Sequence, residues 1–225
     1  MSLRNRKIPQ LALRVGYRIE EGCSIKACHA LLSKIRRPDT HALLTGKGVN
    51  HGRQDCNDTR YVGGGWYWEN FKNFFEQRGY ECFTPTLRHH DVDPQDDPHP
   101  DLGETSLLDY AQDLEEYIHK LDDKPILIGH SMGGLLAQIL GSRGLAKALV
   151  LLTSASPSGV NALKFSVIKS FWSVLTKWGF WRKPQRLSFK TNVYSMLHLL
   201  SEEEQKTIYD KFVYESGRAA GEIGF

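Results

Sequence analysis

The 225-residue chain has few cysteines and no long apolar run. Its four cysteines, Cys23, Cys28, Cys56 and Cys82, show neither C-x-x-C spacing nor the density of a small disulfide-stapled scaffold, so they read as reduced thiols. Cys28 and His29 adjoin, but further ligands do not follow at a zinc-like spacing, and no metal is expected there. The N-terminus is basic, yet Arg14 and Arg18 interrupt the stretch from Ile8 to Ile19, so a signal peptide's apolar core never forms. No uninterrupted apolar stretch is long enough to span a bilayer. A cytoplasmic, soluble chain is the expectation. A strong charge of one sign is also missing, since the net charge is +3. That balance is uneven: residues 1–62 hold 12 Lys/Arg against 5 Asp/Glu, and the remainder holds 17 against 21. The basic residues of the first segment are scattered without a motif or a single face, which reads as a solvated segment and gives no nucleic-acid partner. Length and a 40% hydrophobic content allow one sizeable core.

What is present is concentrated in one stretch. Pro125-Ile126-Leu127-Ile128 is a short apolar run of strand length, Leu135-Leu136-Ala137-Gln138-Ile139-Leu140 begins an apolar helix, and Gly129-His130-Ser131-Met132-Gly133-Gly134 lies between them. A buried strand passing at once into a helix forces a tight turn, and Gly129, Gly133 and Gly134 stand where such a turn needs missing side chains. Ser131 is left at the apex. The pattern G-x-S-x-G between strand and helix is that of a nucleophile elbow, which holds a serine hydroxyl above the carboxyl edge of a parallel sheet. The Met132 amide, in the first helical turn, points at the same space and is placed to stabilise an oxyanion.

At this motif the chain resembles the α/β-hydrolase superfamily. The resemblance implies an α/β fold, a partial α/β-hydrolase core with a parallel sheet and a helical lid segment. It also implies hydrolysis of an acyl bond, most often an ester, through a covalent acyl-Ser131, with a small-molecule acyl substrate and no cofactor. Met132 then supplies one oxyanion amide, and Gly64 or Gly65 the second.

Three segments follow from this reading: a divergent basic segment over 1–62, a hydrolase core with the elbow over 63–157, and a helical lid or cap over 158–225. In the first, Leu11 to Ile19 and His41 to Thr45 have loose strand character. The resemblance calls for a buried strand ending in His-Gly before the first helix, whereas Gln54 to Val62 is polar and His51-Gly52 lies further upstream. Past Gly63-Gly64-Gly65, the aromatics Tyr67, Phe71, Phe74 and Phe75 form one helical stripe, with core packing as its first explanation, and Gly79 ends the helix. Tyr80 to Pro85 reads as a strand, and Arg88 to Pro100, with His89, His90 and His99, as a loop. Ser106 and Asp109 open a helix running to Leu121, and Ala146 to Leu152 is a further buried parallel strand. Strands alternating with helices at this spacing give parallel βαβ units.

Leu163 to Trp181 is a helical, aromatic segment broken by Lys164, Lys169 and Lys177. It reads as a lid over an acyl pocket, with Phe171, Trp172 and Leu175 as pocket candidates; as an interfacial helix held at a membrane surface by Trp and Lys; or as plain core. Ser201-Glu202-Glu203-Glu204 begins a last helix continuing through Val213.

A serine needs an imidazole to take its proton and a carboxylate to orient that imidazole. In this superfamily both come after the nucleophile, on loops past later strands. Here the only histidine after Ser131 is His198 and the only aspartate is Asp210, both within the last helical segment. His198 and Glu202 are four apart, but in the wrong order and context for a dyad, and His130 reads as a packing residue. The opposing hypothesis is therefore a catalytically inactive fragment or an interaction protein with a dead fold, since the late acid and histidine are absent and the chain reads as truncated.

Overall fold

The computed structural model describes residues 66–157, 159–160 and 165–224. Every described residue lies within the unit Val49–Phe225. The expected strands at Leu11 to Ile19 and His41 to Thr45, the His51-Gly52 pair, Gly64, Gly65, Cys23, Cys28 and Cys56 fall outside the described residues.

Helix α1 spans Trp66–Glu76 and carries the aromatic stripe. Tyr67, Phe71, Phe74 and Phe75 are half-buried; Phe74 meets Phe75 and Phe75 meets Tyr80 edge to face, while Tyr67 lies 5.7 Å from the His130 ring. Gly79, at φ 83°, takes the left-handed conformation that stops the helix. Tyr80 to Pro85 has no regular secondary structure, contrary to expectation. A strand exists only through a partner, and the two described strands pair with each other instead.

The loop over Arg88 to His99 leads into a 3-10 turn, Pro100–Glu104, and then helix α2, Leu107–Ile118. The start of α2 follows from a capping box: the Ser106 amide donates to Asp109 Oδ2 at 2.8 Å, and the Asp109 amide donates back to Ser106 Oγ at 3.1 Å. The Ser106 hydroxyl, which donates to Asp109 Oδ2 at 2.6 Å, and then the Ser106 amide hold the Asp109 carboxyl below its ordinary value. The helix ends at Ile118, short of the expected Leu121.

Strand β1, Ile126–His130, passes directly into helix α3, Met132–Ser142, and β2, Ala148–Leu152, returns parallel to β1 with Ile126 opposite Ala148 and His130 opposite Leu152. This is one βαβ unit. The expected burial of β2 is corrected: Leu149, Val150 and Leu151 are each about two-fifths exposed, because α3 covers part of one sheet face only and no described strand flanks β2 on its far edge.

Helix α4, Phe165–Leu175, is shorter than the expected run to Trp181. The chain turns at Gly179, φ 75°, into a 3-10 turn over Phe180–Arg182. A single helical turn, Phe189–Asn192, runs into a π-helical turn, Val193–Leu197, and helices α5, Glu202–Tyr209, and α6, Gly217–Gly224, follow; α5 starts on a second capping box, Ser201 with Glu204, and stops before Phe212 and Val213. The main core gathers Leu87, Leu107, Tyr110, Ala111, Leu135, Leu136 and Ala219, so α2, α3 and α6 pack around one apolar centre.

A buried polar network closes the α6 side of this core. His90 is fully buried, with Nδ1 2.9 Å from the Arg88 carbonyl and Nε2 3.4 Å from Glu215 Oε2. Tyr110 donates its hydroxyl to Glu215 Oε1 at 2.9 Å, and the Ser216 amide donates to the same oxygen at 2.7 Å. The Glu222 carboxylate accepts from the Leu107 amide, which holds α6 on the start of α2. Burial pushes the His90 imidazole down, but the Glu215 charge and hydrogen bond more than offset this and leave it above its ordinary value.

The folded chain thus favours protonated His90. This contribution is complete below the ordinary imidazole pKa of about 6.5 and is lost as pH rises through the raised folded value. His90→Leu is expected to lower stability by about 2 kcal/mol near pH 6, and the gap from wild type narrows as pH rises. Denaturant melts across the pH range check this, and a gap independent of pH contradicts it.

Candidate active site

Ser131 is the residue between β1 and α3, and its backbone has φ 52° and ψ −119°. A non-glycine residue with positive φ is strained by its Cβ, and such strain persists only where the surroundings impose it. Here they do. The Ser131 amide donates to the Leu152 carbonyl at 3.1 Å, continuing the β1–β2 ladder one residue past the strand. The Ser131 carbonyl accepts from Ala155 at 2.9 Å and from Gly134 at 3.0 Å. Both backbone groups are committed, one to β2 and the other to the loop after β2 and the first turn of α3. The side chain is exposed, and no described residue hydrogen-bonds its hydroxyl.

The glycines around it divide into two kinds. A Cβ at Gly129 would lie 2.2 Å from the Gly133 carbonyl oxygen, and one at Gly134 would lie 2.6 Å from the Ser154 side chain. At Gly133 a Cβ would meet nothing within 4 Å, which corrects the expectation that all three glycines answer a steric need. The turn closes because Gly129 admits the backbone of Gly133 and Gly134 admits the chain after β2.

Met132 heads α3, where helix amides have no carbonyl one turn back to bind. Its side chain packs against the main core, leaving the amide at the sheet's carboxyl edge beside Ser131. Gly64 and Gly65, expected to give the second oxyanion amide, lie outside the described residues. His130 is half-buried against Tyr67, and burial lowers its imidazole below the ordinary value.

Phe171, Trp172 and Leu175 all lie on α4, exposed by 44%, 62% and 36%. No extensive contact joins α4 to β1 or α3. His198 is exposed at the end of a π-helical turn, and Glu202 begins α5 beyond a break at Leu199 to Ser201, so the two do not share a helix face. Asp210 is exposed after α5.

Thr153 was not foreseen at the site. It follows β2 as Ser131 follows β1, and it too has positive φ, 42°. Ser154 Oγ, beside it, accepts from Gln138 Nε2 at 2.9 Å and donates to the Ala155 carbonyl at 2.8 Å, tying this loop to α3. The only sequence signal was the small polar run Thr153 to Ser156 directly after an apolar strand.

A serine presented on a strained turn between a parallel strand and a helix, with a helix-heading amide beside it, is the arrangement of a nucleophile elbow. Residues 51–220 match the alpha/beta hydrolase family. The chain belongs to that family. The match takes in His51-Gly52 and ends within α6. No curated protein matches this α/β-hydrolase chain. Among solved structures it is similar to an extracellular alpha/beta-hydrolase from a Paenibacillus species, described as sharing structural and functional homology with tobacco salicylic acid binding protein 2. The TM-score is 0.55 at 17% identity, over 70% of this chain and 64% of that one. The chain thus spans less than two thirds of that structure's length, and the likeness is one of fold.

Gly129→Ala is expected to destabilise this chain by at least about 2 kcal/mol, because a backbone carbonyl has to move. Gly133→Ala, inside the first turn of α3 and with open space for its methyl, is expected to be neutral or to stabilise by up to about 1 kcal/mol. Paired denaturant melts check the contrast, and equal losses contradict the close approach at Gly129.

Proposed function

We propose that this α/β-hydrolase acts on an ester or other acyl bond through an acyl intermediate on Ser131. The observation that supports this reading is the imposed positive φ of Ser131, which lifts an exposed hydroxyl off the sheet edge beside the first amide of α3. Attack by Oγ on the acyl carbon, with the hydroxyl proton passing to solvent water or a buffer base and on to the leaving alkoxide, forms a tetrahedral oxyanion, and the Met132 amide is placed to hydrogen-bond it. The leaving alcohol departs, and water then hydrolyses the acyl-Ser131 ester. Gly64 or Gly65 supplies the second oxyanion donor.

A second reading is a non-catalytic fold that binds without turnover. One observation favours it: among the described residues, no imidazole reaches the Ser131 hydroxyl. Without a base, the elbow and oxyanion donor still accelerate acyl transfer, since such sites retain roughly 10³–10⁴-fold over water when triad members are removed.

Incubation with p-nitrophenyl acetate or a fluorophosphonate, followed by peptide mass spectrometry, separates the readings. Slow modification at Ser131, accelerated by imidazole added to the buffer and abolished in Ser131→Ala, is the expected outcome. No adduct at Ser131 under either condition supports the binding fold. Rapid labelling indifferent to added imidazole shows that the chain supplies its own base.

A further inference from the structure

The most exposed apolar side chains of the described residues cluster around α4. Phe165 is 81% exposed, Trp172 62% and Trp178 89%. At about 100° per residue, Phe165, Ile168, Trp172 and Leu175 fall on one face of α4, with Phe171 on its flank. Val174, 4% exposed, lies on the other side and is the face by which α4 attaches to the protein. The helix is therefore seated by its far side and turns its broad apolar face outward. Trp178 and Trp181 extend the same surface past the helix, their rings 5.4 Å apart edge to face.

The charged residues on α4 and in the turn after it are all basic. No aspartate or glutamate occurs anywhere between Asp123 and Glu202. Lys169, Lys177, Arg182 and Lys183 are all exposed, and Lys169 is held 4.2 Å over the Tyr194 ring at the edge of α4. Glu104 and Glu222 do line the groove beside Trp181 and Arg182, but Glu222 is committed to Arg218 and to the Leu107 amide.

We infer that α4 and the turn after it form a docking surface for an anionic phospholipid bilayer. Tryptophan has an apolar body with a polar N–H and settles at the headgroup boundary, while phenylalanine and leucine enter the acyl region. The ammonium and guanidinium groups meet lipid phosphates and the negative surface potential. Nucleic acid would satisfy the cations but offers no apolar phase for Phe165, Ile168 and Leu175, so the apolar face selects lipid. No described helix is long and apolar enough to cross a membrane, and the contact is one of a helix lying in the interface.

The test is co-sedimentation of the full chain with phosphatidylcholine–phosphatidylserine vesicles and with phosphatidylcholine alone, alongside tryptophan emission. Trp172→Ser/Trp178→Ser and Lys169→Glu/Lys177→Glu alter exposed side chains only, and circular dichroism confirms that both variants keep the wild-type fold. Wild type is expected to bind the anionic vesicles with a blue-shifted emission, weakening with salt, and each double variant to bind about tenfold less tightly or worse. Equal binding by wild type and both variants, equal binding to the zwitterionic vesicles, or no binding overturns the inference. Release from vesicles by RNA, together with RNA binding that survives the tryptophan changes, overturns it in favour of a nucleic-acid surface.

Discussion

The described core depends on one backbone constraint, the clamp on Ser131. Its amide is bound to Leu152, and its carbonyl serves both Ala155 and Gly134. These bonds join β1, α3 and the loop after β2 at a single residue. Relaxing Ser131 to a negative φ would break the continuation of the ladder and the first bond of α3 together, so the strain is held by the sum of several bonds of about 1 kcal/mol each. Gly129 is a precondition, since any side chain there would strike the Gly133 carbonyl. The same clamp sets the chemistry, for it leaves the serine hydroxyl as the part of the residue without a structural partner.

The elbow was legible in the sequence because its determinants are local. An apolar strand, a glycine-flanked serine and an apolar helix lie within about one strand and one helix of each other, and the structure places them as the spacing implies. Both capping boxes were equally local. What could not be read depended on partners distant in sequence. Tyr80 to Pro85 has strand composition, but composition does not supply a neighbouring strand. The apolar run at Leu149 to Leu151 implied burial on both faces, yet burial is set by what covers a strand. Gly133 looked obligatory through its place in the motif, whereas only the folded turn shows its missing side chain to be in open space.

The His90–Glu215 pair shows the same limit from the opposite direction. By sequence the three histidines of Arg88 to Pro100 are loop residues alike, and the structure gives one of them a structural task. His90 lies beneath Tyr110 and binds a carboxylate 125 residues away in sequence, so that α6 is held to the loop after α1. His89 and His99 stack on each other at 4.0 Å. Nothing in the spacing of the three distinguishes the buried one.

The central claim is that the fold imposes a strained backbone on Ser131, and comparing Ser131→Gly with Ser131→Ala tests it most directly. Neither variant keeps the hydroxyl, so catalysis does not enter. Glycine tolerates positive φ while alanine retains the offending Cβ, so the strain relieved outweighs glycine's larger loss of chain entropy on folding. The account predicts that Ser131→Gly is more stable than Ser131→Ala by about 1 kcal/mol in denaturant unfolding. A Ser131→Ala chain as stable as Ser131→Gly, or more so, would mean that the turn is relaxed and that no elbow is present.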